Sequence, residues 1–298
     1  MNERYFTIVN PAAGGGRCGK LAPAALDRLR AAGLAVEVRE TRAPGEAAVL
    51  ANGAYATGYR NFIAVGGDGT SFEIVNGLFP AAATEGRAAL GFLPLGRGNS
   101  FLSDFTKRGA DYAIEAIVTR RRRRCDVLRL NHAGGSLFFI NTLNMGFAAD
   151  VATLANRHLK HLGKFGYLVG VLLSLARLRR RPFPLRADGD RDERPCLFVA
   201  FSNSKFVGGN MMIAPRASID SGAIEYVHWG PIGRFGLVRN LPALFDGSHI
   251  RHPLASRRTA ARIEFDVKTP VDVVVDGEVL TLEVESLEVL PSALDVMV

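Results

Sequence analysis

The stretch Val65–Leu78 reads "VGGDGTSFEIVNGL", with three glycines and an aspartate between the end of one apolar run and the start of the next. Two readings fit it. The first is an ordinary strand-to-helix turn. "NFIAV" (Asn61–Val65) has the pattern of a short buried strand, and Thr70 followed by Glu73 makes a T-x-x-E capping box opening a helix from Ser71. Glycine serves turns with positive φ. The second is a backbone surface shaped to receive phosphate. The stretch alone leaves both open, and the surrounding chain decides between them.

Working outward, the first third alternates strand and helix patterns. "YFTIV" (Tyr5–Val9), "LAVEVRE" (Leu34–Glu40), "NFIAV" and "ALGFLPL" (Ala89–Leu95) read as strands. "KLAPAALDRLRAAG" (Lys20–Gly33), "PGEAAVLANGAYATG" (Pro44–Gly58) and the segment from Ser71 read as helices. Such alternation predicts parallel strands joined by right-handed crossovers, with ligands gathering at the strands' carboxyl ends. Past Arg124 the texture becomes strand after strand. Asp126–Leu130, Leu137–Gly146, Cys196–Ser204, Ala223–Trp229, Ala261–Val267, Val271–Asp276 and Leu280–Leu290 predict a mostly antiparallel second domain. Helical stretches are expected at Val151–Arg180 and Arg234–Phe245.

The 298 residues suffice for one large domain or two ordinary ones, and 48% hydrophobic with 22% charged residues is a globular composition. A net charge of +8 favours an anionic partner: nucleic acid, an acidic membrane surface or a phosphorylated substrate. Cys18, Cys125 and Cys196 form neither a disulfide framework nor a metal-knuckle spacing, which points to a reducing cytoplasm. The N-terminus lacks the apolar region of a signal peptide. The longest apolar segment, "FGYLVGVLLSLARL" (Phe165–Leu178), is too short to span a bilayer. The expectation is a cytoplasmic protein, soluble or attached at the membrane surface.

Three glycine-rich loops follow the first, third and fourth strands: "NPAAGGGRCGK" (Asn10–Lys20), "GGDGT" (Gly66–Thr70) and "PLGRGNSF" (Pro94–Phe101). Each alone is a common kind of turn. Together, at the carboxyl ends of one sheet, they would share a crevice where backbone N–H groups and helix N-termini bind phosphate. Lys20 would add a point charge. The first loop departs from a Walker A loop, since no Ser or Thr follows Lys20, and it lacks G-x-G-x-x-G spacing. Asp68 is either a turn aspartate bonded to its own backbone or a holder of Mg²⁺ on a nucleotide. Asp276-Gly277-Glu278 reads first as a hairpin turn. An aspartate at such a tip could instead accept a hydroxyl proton during phosphoryl transfer.

"VNPAAGGG", "GGDGTSFEIVNGL", "PLGRGN", "SNSKFVGGNMMIAPRASIDSGAIE" and "VVVDGE" together resemble successive signatures of the diacylglycerol kinase-like lipid kinases. That group includes bacterial diacylglycerol and phosphatidylglycerol kinases, sphingosine kinases and ceramide kinases. The resemblance runs in order along nearly the whole chain. "GGDGT" alone is shared with NAD kinases, whereas "GGNMMIAPRA" and the late D-G-E favour the lipid kinases. The resemblance implies an α/β, Rossmann-like nucleotide-binding domain similar to that of NAD kinases (1–124 plus 287–298). It also implies a β-rich sandwich domain that takes the lipid substrate (125–286). The implied activity is transfer of the ATP γ-phosphate to a lipid hydroxyl, with ATP and Mg²⁺.

Carried over by position, Asn10 and Thr41 match nucleotide-contacting positions, and Gly14, Lys20, Arg97, Asn99 and Glu278 are further expected to line the nucleotide site. Gly66, Gly67, Asp68, Gly69 and Thr70 match the phosphate loop. Asp276 matches the general base, and Asp68 and Glu278 match acids near metal and phosphates. Glu73 and Asn76 match helix positions after the loop. Two departures stand out. The family's P-L-G-T-x-N-D is here Pro94-Leu95-Gly96-Arg97-Gly98-Asn99-Ser100, so Arg97 and Ser100 replace a threonine and an aspartate. A second metal site of bacterial members falls on Ser218, Asp220, Ser221 and Ala223, with Ser221 where the metal-binding aspartate usually stands.

Arg120–Arg124 is an unbroken run of five arginines, and "ARLRRRPFPLR" (Ala176–Arg186) follows the most apolar helix. Such runs are by default a solvated face or domain-boundary charge. Beside an apolar helix they also fit attachment to an anionic membrane surface, on the inner face of the membrane. Nucleic acid is a poorer partner, because aromatics are not interleaved with the basic runs. The six histidines show no ligand spacing. Two other functions compete with a lipid kinase: an NAD kinase-like phosphotransferase, and a non-catalytic nucleotide- or lipid-binding descendant, motivated by Arg97 and Ser100.

Overall fold

A computed structural model describes residues 3–96, 98–158, 173–208 and 210–298. The chain divides into two compact units: Met1–Val127, Phe138–Ile140 and Leu290–Val298 form unit 1, and Leu128–Leu137 with Asn141–Val289 form unit 2.

Unit 1 runs β1 (Arg4–Val9), α1 (Arg17–Ala31), β2 (Ala35–Glu40), α2 (Glu46–Ala56), β3 (Asn61–Gly66), α3 (Asp68–Leu78), α4 (Ala81–Thr84), β4 (Ala89–Pro94) and α5 (Ala110–Val118). Strand β1 pairs in parallel with both β2 and β3, and β3 with β4, giving the order β2-β1-β3-β4. The inner strands are nearly continuous buried apolar runs, as a sheet covered on both faces requires. From β1 the chain crosses to β2 on one side and then to β3 on the other. The carboxyl ends of β1 and β3 therefore flank the point where strand order reverses, the usual ligand crevice of such sheets.

The expected capping box does not form. Helix α3 starts at Asp68, three residues before Ser71, with Gly67 as its N-cap and no side-chain cap. Glu73 reaches the neighbouring helix instead, accepting the Ala47 N–H of α2 at 3.1 Å. The two helices lie close enough that a Cβ on Gly77 would come within 2.8 Å of Ala48 Cα. A carboxylate at position 73 therefore finds the uncapped start of α2 as readily as its own.

The rest of the chain is β5 (Arg122–His132), β6 (Gly135–Phe139), β7 (Thr142–Gly146), α6 (Phe147–His158), β8 (Arg181–Pro182), β9 (Leu185–Ala187), β10 (Asp190–Asp192) and β11 (Pro195–Cys196). It continues with β12 (Phe198–Ser202), β13 (Phe206–Val207), β14 (Met211–Met212), β15 (Ile224–Trp229), α7 (Arg234–Asn240), α8 (Ala243–Asp246), β16 (Ala255–Ala260), β17 (Arg262–Phe265), β18 (Val271–Val275), β19 (Glu278–Leu282) and β20 (Val284–Met297). In unit 2 an antiparallel sheet in the order β16-β15-β12-β7-β18-β19 meets a second one containing β10-β9-β17-β20. Phe201 of β12 stacks on Tyr226 of β15 and meets Phe265 of β17 edge-on, which marks the packed interior of a sandwich. Strand β16, "ASRRTA", escapes sequence reading because its residues are mostly polar; it is held by its ladder to β15.

The last strand runs past the expected end at Leu290. Its final residues Asp295–Met297 pair in parallel with Ala89–Gly91 of β4. The bend at Ser292 (φ 51°) is fixed by its N–H donating to the buried Asp126 carboxylate at 2.7 Å. Of the helix expected at Val151–Arg180, α6 covers the start, while residues 159–172, with most of the apolar segment, lie outside the described residues. The arginine run is a paired face. Arg120 and Arg122 reach Glu3, Arg121 reaches Glu115 and Arg124 reaches Asp295, at 3.0–3.6 Å, and Arg123 lies over the Phe105 ring.

Among the acids the sandwich buries is Asp192, which accepts from Arg194, Arg258 and the Tyr226 hydroxyl. Burial pushes its carboxyl up, but the Arg194 and Tyr226 bonds outweigh this and hold it well below the usual carboxylate range. A depressed carboxyl stabilises fully above its unfolded value, about pH 4, and that stability is lost as pH falls toward the folded value. Asp192→Asn is expected to lower unfolding free energy by about 2 kcal/mol at neutral pH. The gap to the parent should narrow below about pH 4, read by urea unfolding through Trp229 fluorescence.

Candidate functional site

Parallel pairing places the exits of β1, β2, β3 and β4 along one edge of the unit 1 sheet, and hydrogen bonds lock successive exits together. Asn10 N–H donates to Val65 O (2.9 Å), Thr41 N–H to Val9 O (2.9 Å), Gly96 N–H to Gly66 O (2.7 Å) and Asp68 N–H to Gly98 O (3.1 Å). The third and fourth glycine loops are therefore in direct contact, and the first lies against the end of β3 and the fourth loop. A Cβ on Gly96 would lie 2.7 Å from the Gly67 backbone, one on Gly14 3.3 Å from Leu95 O, and one on Gly98 3.0 Å from the Asp68 carboxylate.

The first loop reaches α1 through three consecutive left-handed glycines, Gly14, Gly15 and Gly16, at φ 68°, 73° and 87°. That path is open to glycine and strained for other residues. Neither α1 nor α3 has a side-chain cap, so their first N–H groups are not claimed by a capping side chain. This is the backbone arrangement that takes phosphate. Lys20 lies exposed in the first turn of α1, and Asn99 lines a cavity of about 10 Å³ beneath the loops, with Gly66, Gly67 and Asp68. Gly69 sits in the first turn of α3. The Thr70 side chain turns inward against Gly66, and its buried hydroxyl has no partner among the described residues. Arg97 lies outside the described residues.

Asp68 ties the third and fourth loops together. Both of its carboxylate oxygens accept the Ser100 N–H at 2.9 Å. The residue keeps some surface exposure, yet the protein packed round the carboxyl desolvates it. That desolvation pushes the carboxyl up, against the downward pull of the Ser100 and Phe101 bonds. A carboxylate raised in this way gains most from an arriving cation, which favours its charged form. Asn76 has a different role: its amide brackets Phe138, accepting the N–H at 3.0 Å and donating to the carbonyl at 2.8 Å.

Asp276 belongs to unit 2. Val275 pairs with Glu278, leaving Asp276-Gly277 as a two-residue hairpin loop with both φ values positive (47° and 92°). The hairpin expectation holds, but the side chain does not point to solvent. It is buried, with Oδ1 accepting Asn141 N–H at 3.1 Å and Thr142 N–H at 2.8 Å. Around it lie polar residues that sequence reading passed over. Asn141, Thr142, Asn144, Ser202 and Ser204 are all buried. Thr142 bonds Ser202, Asn144 bonds Thr142, and Ser204 bonds Asn141. Their signal was available: polar residues interrupting the apolar strands "LFFINTLNMG" and "CLFVAFSNS". Glu278 is exposed beside the hairpin.

The residues matched to a second metal site form a self-bonded turn. Ser221 N–H donates to Ser218 O, the Ser221 hydroxyl to Ala223 O, and the Ser218 hydroxyl to Asp220. Among the described residues no three His, Cys, Asp or Glu side chains cluster as a metal site would need.

Two family models match the chain: the diacylglycerol kinase catalytic domain over residues 4–130, and the YegS C-terminal NAD kinase beta sandwich-like domain over 141–298. A protein of Chromohalobacter salexigens named "Probable lipid kinase YegS-like" is 36% identical over 74% of this chain and 70% of its own length. A diacylglycerol kinase of Mycobacterium tuberculosis is 28% identical over 99% of this chain and 94% of its own. The crystal structure of a diacylglycerol kinase from Bacillus anthracis superposes with a TM-score of 0.72 at 21% identity, covering 99% and 96% of the two chains, which shows the common fold.

The loop contacts predict a ranking. Gly96→Ala, whose Cβ meets the Gly67 backbone, is expected to destabilise unit 1 by about 1–3 kcal/mol. Gly16→Ala, left-handed but with open space around it, should cost about 1–2 kcal/mol from backbone strain alone. Only the Gly96 change should also loosen the Asp68–Ser100 tie, read as faster hydrogen exchange at Ser100.

Proposed function

The chain belongs to the diacylglycerol kinase-like lipid kinases, and on that premise we propose that it transfers the γ-phosphate of ATP to a hydroxyl of a membrane lipid such as diacylglycerol. One observation supports the nucleotide half of this reading above others: three glycine loops gathered at the strand-order reversal, with two helix starts that lack side-chain caps behind them. The backbone N–H groups not already bonded within the loops are the phosphate receptors. Small side chains let the phosphates approach the main chain, and Lys20 adds a mobile positive charge.

The donor set fits a metal that arrives on the phosphates rather than a resident one. A phosphate-borne Mg²⁺ keeps most of its waters and needs one or two carboxylates; in unit 1 Asp68 would be the one to hold it, and Glu278 is the acid of unit 2 that the family resemblance points to. When bound, the ion neutralises charge on the transferring phosphoryl group. Asp68 also keeps the third and fourth loops in register through Ser100. Asp276 takes the proton of the acceptor hydroxyl. Its orientation is held by the N–H groups of Asn141 and Thr142, so little rearrangement is needed as the proton moves. Catalysis then rests on positioning and electrostatics rather than covalent chemistry with the protein.

Radiolabelled ATP, offered with diacylglycerol, phosphatidylglycerol, sphingosine, ceramide or NAD in mixed micelles, tests the reading. Label should pass to a lipid. Asp276→Asn should lower kcat by about 10²–10⁴ while leaving ATP binding intact. Asp68→Asn should weaken Mg·ATP binding by about tenfold. Transfer untouched by Asp276→Asn would remove this residue as base. Label reaching NAD alone, or ATP binding without transfer to any lipid, would overturn the lipid kinase reading.

A further inference from the structure

We infer that the outer face of α7 and α8, with the arginine-lined recess beside it, is the surface by which the protein docks on an anionic lipid bilayer. This rests on the lipid kinase reading, which requires the enzyme to meet an acceptor that stays in a membrane.

The segment Arg234–Asp246 is apolar on two separate sides. Backbone angles at Leu241 (φ −54°, ψ −42°) and Pro242 (φ −57°, ψ −33°) keep it right-handed helical from α7 into α8. At about 100° per residue, Leu237, Leu241 and Leu244 share one side, and all three pack into the sandwich core with Trp229 and Phe198. Phe235, Val238 and Phe245 fall on another side and are 94%, 50% and 57% exposed. A nearly bare phenylalanine with two large apolar neighbours at helical spacing is a patch, not scattered surface apolarity.

Charge decides the occupant. Arg239 flanks Phe235 on the same side of the helix. Next to Phe245 the chain forms the wall of a recess of about 530 Å³ lined by Arg216, Arg251, Ser248 and Asp246, among others. Arg216, Arg239 and Arg251 are exposed and have no ion pair among the described residues, unlike the arginines of Arg120–Arg124. The rim acid, Asp246, is engaged by Ser248, whose hydrogen bonds hold its carboxyl below the usual range, with a smaller pull from the Arg251 charge; one acid thus faces several arginines. Aromatic side chains beside exposed arginines in excess of acids match the boundary of an anionic membrane: rings enter the headgroup layer while guanidinium groups meet lipid phosphates.

Sedimentation of the full chain with vesicles, without nucleotide, tests this. The parent should partition onto vesicles of phosphatidylcholine with phosphatidylglycerol and much less onto phosphatidylcholine alone. Phe235→Ser with Phe245→Ser should lower partitioning by about tenfold or more with an unchanged melting curve. Arg216→Gln with Arg251→Gln should abolish the preference for phosphatidylglycerol. Both variants should still transfer phosphate to a dispersed short-chain diacylglycerol. Vesicle binding by either pair equal to the parent's, or a change confined to self-association in sedimentation velocity, overturns the proposal. Docking that responds as described in a protein without kinase activity would uphold this surface and reject the activity.

Discussion

The structure of unit 1 turns on one carboxylate and one amide. Asp68, in the first turn of α3, presents both oxygens to the Ser100 N–H and so closes the fourth-strand loop onto the third. The backbone bonds Gly96 to Gly66 and Asp68 to Gly98 run beside it. Glycine at 96 is what lets the two main chains come this near. A side chain there would hold the loops apart, and the backbone surface they form would open. The residue that binds the loops together is also the one whose desolvated carboxyl gains most from a cation. Structural and chemical roles thus meet in one group.

Unit 2 solves a different problem. A hairpin aspartate would ordinarily be solvated, with nothing to fix its direction. Here the left-handed conformation of Asp276 folds its side chain back onto the start of β7, where two backbone N–H groups hold it. The polar residues at the meeting ends of β7, β12 and β18 bond one another around it, leaving the buried Asn144 Oδ1 without a partner among the described residues. A buried polar cluster of this kind rigidifies its surroundings and fixes orientation.

Much of this was legible in the residues. Alternating apolar runs and glycine punctuation give the parallel strands of unit 1, and the D-G dipeptide gives the hairpin. The convergence of three loops follows from parallel pairing once the strands are recognised. What sequence reading missed was tertiary in origin. Glu73 fits a capping box by spacing, but a neighbouring helix start competes for it. Strand β16 carries Arg257 and Arg258, whose charges are matched by Glu225 and Asp192 on other strands. No local pattern could reveal that. Arg120–Arg124 reads as a basic patch until Glu3, Glu115 and Asp295 are brought beside it. The outward phenylalanines of α7 and α8 look like core residues in sequence, because helical spacing alone does not say which apolar side is covered.

The central claim is that the first, third and fourth loops of unit 1 form one phosphate site. Hydrogen exchange of the full chain with and without Mg·ATP addresses it directly. The account predicts that Gly14–Gly16, Gly66–Thr70 and Gly96–Ser100 gain protection together, at the same nucleotide concentration. Protection in one of these loops without the others, or in none while ATP is bound, would contradict it.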